Sequence, residues 1–303
     1  MTDPWVLWVP ATLLASAGQV ARNTMQRRLT DLIGTMGATQ VRFLYGFPFS
    51  LVFLALVLAA TGERLPHPGS GFSPFILLGA LSQITGTGLM LAAMRQRSFS
   101  VVTALLKTEA IQLAAFGLIF LGDRVSPLGL LSIVVATGGV VLIALNRNVI
   151  GEVLAGGLAP LAFGIGAAAM FGLSSVGFRG AILNLDIGSS LVRSTTALVW
   201  SLGLQTVMLG GWLVAFDRPA LLGSLREWRS SLGAGFVGAA ASQFWFIGFA
   251  LTAAANVRTL ALVEVIFAQV VSRRVFAQTP SPRELAGMAL IVVGVLGLLA
   301  ATT

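Results

Sequence analysis

Of the chain's 303 residues, 56% are hydrophobic and 10% are charged. A protein core cannot bury that much apolar surface, so lipid must cover it, and an ordinary soluble protein is excluded. The formal net charge of +8 comes from arginines scattered between apolar stretches, which favours loops beside a bilayer over a nucleic-acid-binding face. With no cysteine and one histidine, His67 in a Pro/Gly-rich loop, the sequence excludes disulfides, thiolate metal sites, cysteine nucleophiles and histidine-based triads.

Ten apolar runs are long enough to cross a hydrocarbon core of roughly 30 Å, which needs about 20 helical residues. Breaks containing Gly, Pro, Asp, Asn or Arg separate them, and the longest connection is 217–229. Loops this short leave no room for an extramembrane domain, so the sequence predicts an all-α, multi-pass integral membrane protein. The predicted spans are 5–24, 36–60, 72–94, 99–121, 126–146, 157–180, 190–215, 230–251, 255–272 and 283–301.

An internal repeat relates the two halves of the chain. Glu109 and Glu264 lie at the same distance before a Ser-Pro pair that starts the next helix, and Gly139 and Gly294 follow at the same offset. Ser82, Gln83 and Gly88 in the third predicted helix likewise match Ser242, Gln243 and Gly248 in the eighth. The sequence therefore predicts two repeats, 1–150 and 151–303.

Each repeat holds five predicted helices. Because five is odd, two consecutive repeats must cross the membrane in opposite orientations, which makes the repeat an inverted one. Inverted repeats are typical of secondary transporters, whose substrate site lies near the bilayer midplane.

With these features the sequence resembles the drug/metabolite transporter superfamily, specifically the ten-helix EamA-type transporters. Arg42 and Arg193 open the second helix of each repeat, and Glu109 and Glu264 lie in the fourth. The segment Leu121–Pro127 is similar to the family's Leu-Gly-Glu segment before a helix start, whereas 277–279 departs from it. The resemblance implies a central cavity, alternating access and outward movement of amino acids, metabolites or cationic drugs.

Three charged residues fall in the middle of predicted spans: Lys107, which is the only lysine, Glu109 and Glu264. A charge at mid-bilayer costs at least about 2.5–3.5 kcal/mol, so such residues normally face a cavity or a partner. Lys107 and Glu109 are two positions apart and point roughly 200° away from each other on a helix, so at least one needs a partner elsewhere. They either bind substrate or a proton, or form an interhelical ion pair that fixes the packing.

Other polar or aromatic residues of the predicted helices complete the candidate substrate site. Amides can hydrogen-bond a zwitterion or join helices, and aromatic rings can stack on a cation or simply pack. Arg42 and Arg193 lie near helix ends, where snorkelling is open to them. These candidates are Gln19, Arg22 and Asn23 on one face of the first helix, Arg42, Tyr45, Gln83, Arg193, Gln243 and Trp245.

Arginines concentrate in loops that follow odd-numbered predicted helices, whereas the opposite side holds Arg64, Arg124 and Arg258. The positive-inside rule places the arginine-rich side in the cytoplasm and both termini outside it. Resemblance to the family implies the reverse, with cytoplasmic termini. The charge distribution of this chain favours the first arrangement.

The leading hypothesis is a secondary transporter in a bacterial-type inner membrane, which exports a small metabolite that is amino-acid-like, amphipathic or cationic. Proton coupling fits the midspan carboxylates, while no P-loop motif for ATP is present. We expect no catalytic residue, no metal and no cofactor. The expected partners are a small molecule, protons and the bilayer, not nucleic acid. The sequence leaves the oligomeric state open, and a monomer is compatible with it. The alternatives are an intramembrane enzyme and a non-transporting membrane scaffold or receptor.

Overall fold

The computed structural model describes residues 4–94, 96, 102, 105–144, 158–266 and 281–302. Every secondary-structure element in these ranges is a helix, which confirms the all-α class. A 3₁₀ turn, Ala261–Val263, follows the ninth α-helix directly. The α-helices are α1 Pro4–Thr61, α2 Phe72–Met94, α3 Glu109–Leu121, α4 Pro127–Ala144, α5 Leu158–Leu183, α6 Ser190–Phe216, α7 Arg218–Arg226, α8 Trp228–Leu251, α9 Ala254–Leu260 and α10 Pro282–Thr302.

Seven helical segments in the described ranges are long and apolar enough to cross a membrane. They correspond to predicted helices two, three, five to eight and ten. Predicted span 5–24 lies in the first part of α1, and 99–121 is represented by the shorter apolar helix α3. Part of 255–272 forms α9 and the 3₁₀ turn, and its residues from 267 onward lie outside the described ranges. A total of ten spans therefore stays a prediction.

Two helical parts that meet at a kink make up α1, and the connection that the sequence predicted at 25–35 is helical except at that kink. Only Gly34 departs from helical geometry, with φ 70° and ψ 172°. No glycine or proline occurs between Met25 and Ile33 to stop the helix earlier. A positive φ strains any residue that has a Cβ, so glycine is the residue that permits this kink.

The two Ser-Pro pairs start helices, as predicted. Pro127 and Pro282 are the first residues of α4 and α10, where a missing N–H costs nothing. Before α10, Ser281 and Glu284 form a capping box: the Glu284 N–H donates to Ser281 Oγ at 3.3 Å, and the Ser281 N–H donates to Glu284 Oε2 at 2.7 Å.

The chain divides into two compact units. The first comprises Met1–Ile84 with Gly177–Leu251, and the second comprises Thr85–Val176 with Thr252–Thr303. Helices α2 and α5 therefore contribute residues to both. These units do not coincide with the predicted sequence repeats 1–150 and 151–303. The repeats and their inverted orientation stay predictions.

Within the first unit, α1, α6 and α8 pack together through small residues. A Cβ added to Gly235 of α8 would lie 2.5 Å from Tyr45 Cβ of α1, and one added to Gly18 would lie 2.9 Å from Ala241 Cβ. Helix backbones approach this closely only where a side chain is missing. The close approach of α1 and α8 at Gly235 therefore depends on glycine.

Within the second unit, α4 packs against α10 at the two repeat-related glycines. A Cβ on Gly139 would lie 2.5 Å from Gly287 O, and one on Gly294 would lie 2.6 Å from Ala136 N. Backbone atoms cannot move aside as a flexible side chain can, so both positions require glycine. This interface holds together the helices that follow the two glutamate segments.

Candidate functional site

Lys107 and Glu109 lie where α3 begins, not in the middle of a continuous helix as the sequence predicted. Thr108 is the N-cap of α3, and Lys107 occupies the turn before it. Glu109 falls in the first turn of the helix, where the helix dipole stabilises a carboxylate. A helix end inside an apolar segment is the type of element on which transporters often build sites.

Lys107 pairs with Glu264. The Lys107 ammonium donates a hydrogen bond to Glu264 Oε1, and the side chains are 21% and 16% exposed respectively. Glu264 comes directly after the 3₁₀ turn Ala261–Val263. Helical spacing required a partner elsewhere for at least one of Lys107 and Glu109, and the partner of Lys107 comes from a segment 157 residues away.

Glu109 pairs with Arg258 of α9. The Arg258 Nε lies 3.2 Å from Glu109 Oε1, and the two side chains are 17% and 16% exposed. The same guanidinium donates to Ser175 Oγ of α5 from Nε at 3.3 Å and from Nη2 at 3.4 Å. This second ion pair therefore has hydrogen-bond support from a third helix.

The four charged groups form one cluster, here called the charge cluster: Lys107, Glu109, Arg258 and Glu264. Besides Arg258, Glu109 interacts electrostatically with Lys107 and Glu264. Two cations and two carboxylates sum to no net charge, and alternating neighbours offset part of the cost of removing each ion from water. Such an arrangement can hold a charged or zwitterionic small molecule, or exchange a proton, without leaving a bare charge in apolar surroundings.

Sequence reasoning missed Arg258 and Ser175. Arg258 was assigned to loop charge near a helix start, but it is helical and paired. The neighbouring sequence could have shown this, because residues 253–263 contain neither glycine nor proline and therefore carry no loop signal. Ser175 carries no such signal, since a serine in an apolar helix most often bonds only to its own backbone.

Two predicted glutamines of the first unit bond to α6. Gln205 of α6 donates from Nε2 to Gln83 Oε1 and accepts from Ser201 Oγ at 3.4 Å. The Gln243 Nε2 donates to Thr195 Oγ1, also on α6, at 2.9 Å. Both repeat-related amides therefore join helices, which is the structural alternative that the sequence left open.

Tyr45, Trp245 and Arg42 have packing contacts in the first unit. Tyr45 OH donates to the Ser224 carbonyl of α7 at 3.0 Å. Trp245 is 5% exposed and stacks on Phe249 with ring centroids 6.3 Å apart. The Arg42 guanidinium lies over the Phe43 ring at 5.4 Å from its centroid.

The remaining candidates of the first unit differ in how deeply their side chains are buried. Arg22 is buried, and Gln19 is half-buried on the same face of α1. The Asn23 side chain lies outside the described residues. Arg193 is half-buried in the first turn of α6. Of the twelve predicted site residues, the structure brings Lys107, Glu109 and Glu264 together, whereas the other nine belong to the first unit.

Comparison with known proteins identifies the family. The profile of the EamA-like transporter family matches residues 5–145 and 158–300, which is nearly the whole chain. A protein of known crystal structure shares the fold with a TM-score of 0.68 at 15% sequence identity, over 97% of both chains. A search of curated proteins found no significant match. The chain therefore belongs to the EamA-like transporter family of the drug/metabolite transporter superfamily, and is a multi-pass membrane transporter for a small molecule.

Proposed function

We propose that this protein is a secondary transporter of a bacterial-type inner membrane that exports a small amino-acid-like, amphipathic or cationic metabolite. Transport proceeds by alternating access of two inverted five-helix repeats around a site near the midplane. The observation that carries the proposal is the charge cluster, because lipid alone does not tolerate four ionised side chains among apolar helices.

Within the cluster, the Lys107–Glu264 pair is the one that meets the substrate. An ammonium has three N–H donors, and among the described residues that of Lys107 bonds only to Glu264. The Glu264 carboxylate likewise bonds only to Lys107. Both groups retain capacity for a ligand: Lys107 for an anionic group, and Glu264 for an amino group or a proton.

Glu109 and Arg258 have a supporting role in the proposal. The guanidinium is already shared between Glu109 and Ser175, so it has less freedom to leave its partners than the lysine ammonium has. This pair fixes α9 against the start of α3 and keeps a negative charge beside Lys107. A zwitterionic substrate can then replace the Lys107–Glu264 contact without exposing an uncompensated ion, because its amino group pairs with Glu264 and its anionic group with Lys107.

Solute flux in proteoliposomes tests the proposal. A thermal-shift screen of amino acids, polyamines and cationic drugs selects the compound that stabilises the purified protein most, and its radiolabelled form is the flux substrate. We expect Lys107→Gln and Glu264→Gln each to abolish flux. Arg64→Gln, which changes an exposed loop cation, is the matched control and retains it.

The same assay separates a carrier from a scaffold. Native protein that moves none of the stabilising compounds would contradict a transport function. Flux that survives both Lys107→Gln and Glu264→Gln would leave transport standing but remove the charge cluster as its site.

A further inference from the structure

The short helix α7, between α6 and α8, buries one side and exposes a side that carries both apolar and basic residues. Ala220 and Ser224 are buried on one side. Arg218, Leu222 and Arg226 are exposed on the other side, and their i, i+4, i+8 spacing aligns them along one face over about 12 Å. The exposed face thus places a leucine between two arginines.

Large apolar side chains surround this face and are uncovered. Phe216 is 75% exposed, Leu222 55%, and Leu225 and Trp228 48% each. Phe216 ends the spanning helix α6, and Trp228 starts the spanning helix α8, so α7 belongs at the membrane–water boundary. Tryptophan and arginine beside leucine are typical of that boundary, where rings and acyl chains meet headgroups.

Two arginines of this segment, Arg226 and Arg229, carry charges that no described acidic side chain pairs with. Neither Arg226 nor Arg229 forms an ion pair or side-chain hydrogen bond with a described residue; the Arg229 guanidinium lies over the Trp228 ring, 5.2 Å from its centroid. The adjacent carboxylates are engaged: Asp217 accepts from the Ala220 N–H at 3.2 Å, and Glu227 accepts from Ser230 Oγ at 3.5 Å. Two guanidiniums are therefore left for an external anion.

Contacts with α1 hold α7 in this orientation. Tyr45 OH donates to the Ser224 carbonyl at 3.0 Å. A Cβ on Gly37 would lie 3.1 Å from the Ala220 carbonyl oxygen, and one on Gly223 would lie 2.8 Å from Ile33 Cγ2. Helix α7 packs beside the Gly34 kink through its Ala220 and Ser224 side. Its arginines therefore face away from the protein.

We propose that α7, together with Trp228 and Arg229, is an interfacial helix that binds anionic phospholipid. Arg226 and Arg229 pair with the headgroup phosphate, while Leu222, Leu225 and Trp228 enter the upper acyl region. The apolar rim favours a membrane lipid over a free phosphate, which would cover none of it. The segment follows an odd-numbered predicted helix, on the arginine-rich side that the positive-inside rule assigns to the anionic cytoplasmic leaflet.

The depth of α7 is the first test. The chain contains no cysteine, so Leu222→Cys provides a single site for a bimane label in the full-length reconstituted protein. Doxyl-labelled phosphatidylcholine, with the nitroxide high on the acyl chain, is expected to quench it strongly. His67→Cys, in a loop where the side chain is 81% exposed, is the control and is expected to be quenched less. Equal quenching at both positions would overturn the membrane contact.

Lipid selectivity is the second test. Association of spin-labelled phosphatidylglycerol is compared with that of phosphatidylcholine in vesicles of the two lipids. Each arginine near an anionic surface contributes a factor of roughly five, so Arg226→Gln/Arg229→Gln is expected to lower the phosphatidylglycerol preference by at least about fivefold. Arg64→Gln/Arg124→Gln removes the same charge from exposed residues in loops that the sequence predicts on the opposite side of the membrane, and this variant is expected to preserve the preference.

Two outcomes contradict the proposal. A native protein without preference for phosphatidylglycerol has no anionic-lipid site, and equal losses in the two double variants would reduce the effect to net charge. Inorganic phosphate added at constant ionic strength separates the sources of the anion: if it abolishes the preference, the arginines bind free phosphate instead of a lipid. Circular dichroism and thermal unfolding verify that each variant is folded.

Discussion

The Lys107 ammonium pairs with the Glu264 carboxylate across 157 positions of the chain. Glu264 matches Glu109 in the internal repeat, but the cations do not match: Lys107 precedes Glu109 by two positions, whereas Arg258 lies farther from Glu264. Each repeat's glutamate takes its cation from the other repeat. The two pairs join α9 and the residue after the 3₁₀ turn to the start of α3.

Exchanging the charges of the first pair separates a binding role from a packing role. Lys107→Glu or Glu264→Lys alone places two like charges together and is expected to cost about 3–5 kcal/mol of stability. The double exchange restores the ion pair, so thermal unfolding returns towards native. Flux does not return, because each charge now faces the wrong end of the substrate. Full recovery of flux in the double exchange would show that the pair only fixes packing.

Arg258 stabilises the second pair. Arg258→Met leaves the Glu109 carboxylate without its cation, at an expected cost of about 3–5 kcal/mol. Adding Glu109→Gln removes the stranded charge, so the double variant is expected to be more stable than Arg258→Met alone. Denaturant or thermal unfolding in detergent measures this, with Arg124→Met as the exposed control. A double variant less stable than the single one would argue against the pairing.

The α4–α10 interface requires glycine. Gly139→Ala and Gly294→Ala each insert a methyl within 2.5–2.6 Å of backbone atoms on the facing helix, with an expected loss of about 1–3 kcal/mol. Gly138→Ala is the neighbouring control, because its Cβ meets nothing within 4 Å; alanine there is expected to be neutral or slightly stabilising. Thermal unfolding of the three variants decides, and equal midpoints would mean that the helices can separate freely.

The kink in α1 depends on Gly34. Its Cβ would meet nothing within 4 Å, yet its φ is +70°, so the expected cost of Gly34→Ala, about 1–2 kcal/mol, is conformational and not steric. Gly211→Ala, equally uncrowded but without a positive φ, is the control and is expected to leave stability unchanged or raise it. Identical stability of the two variants would indicate that α1 straightens without penalty.

Local sequence features predicted much of the fold. The apolar runs at 72–94 and 190–215 match α2 and α6 closely because the length of a run, the residues within it and the break after it are all local properties. The helix starts at Pro127 and Pro282 and the packing glycines Gly139 and Gly294 were recognisable for the same reason. The kink was not: Gly34 is one of 35 glycines, and no local signal distinguishes a kink from a loop.

By itself the sequence determined that this protein lies in a membrane, that it is helical, and that Lys107, Glu109 and Glu264 are ions in apolar surroundings that face a cavity or a partner. Helical spacing excluded side-by-side neutralisation of Lys107 by Glu109 but could not choose another partner. Only the tertiary structure paired Lys107 with Glu264 and Glu109 with Arg258. An ion pair is selected by distance in space, and that distance is set by how segments far apart in the chain pack together, which no local pattern encodes.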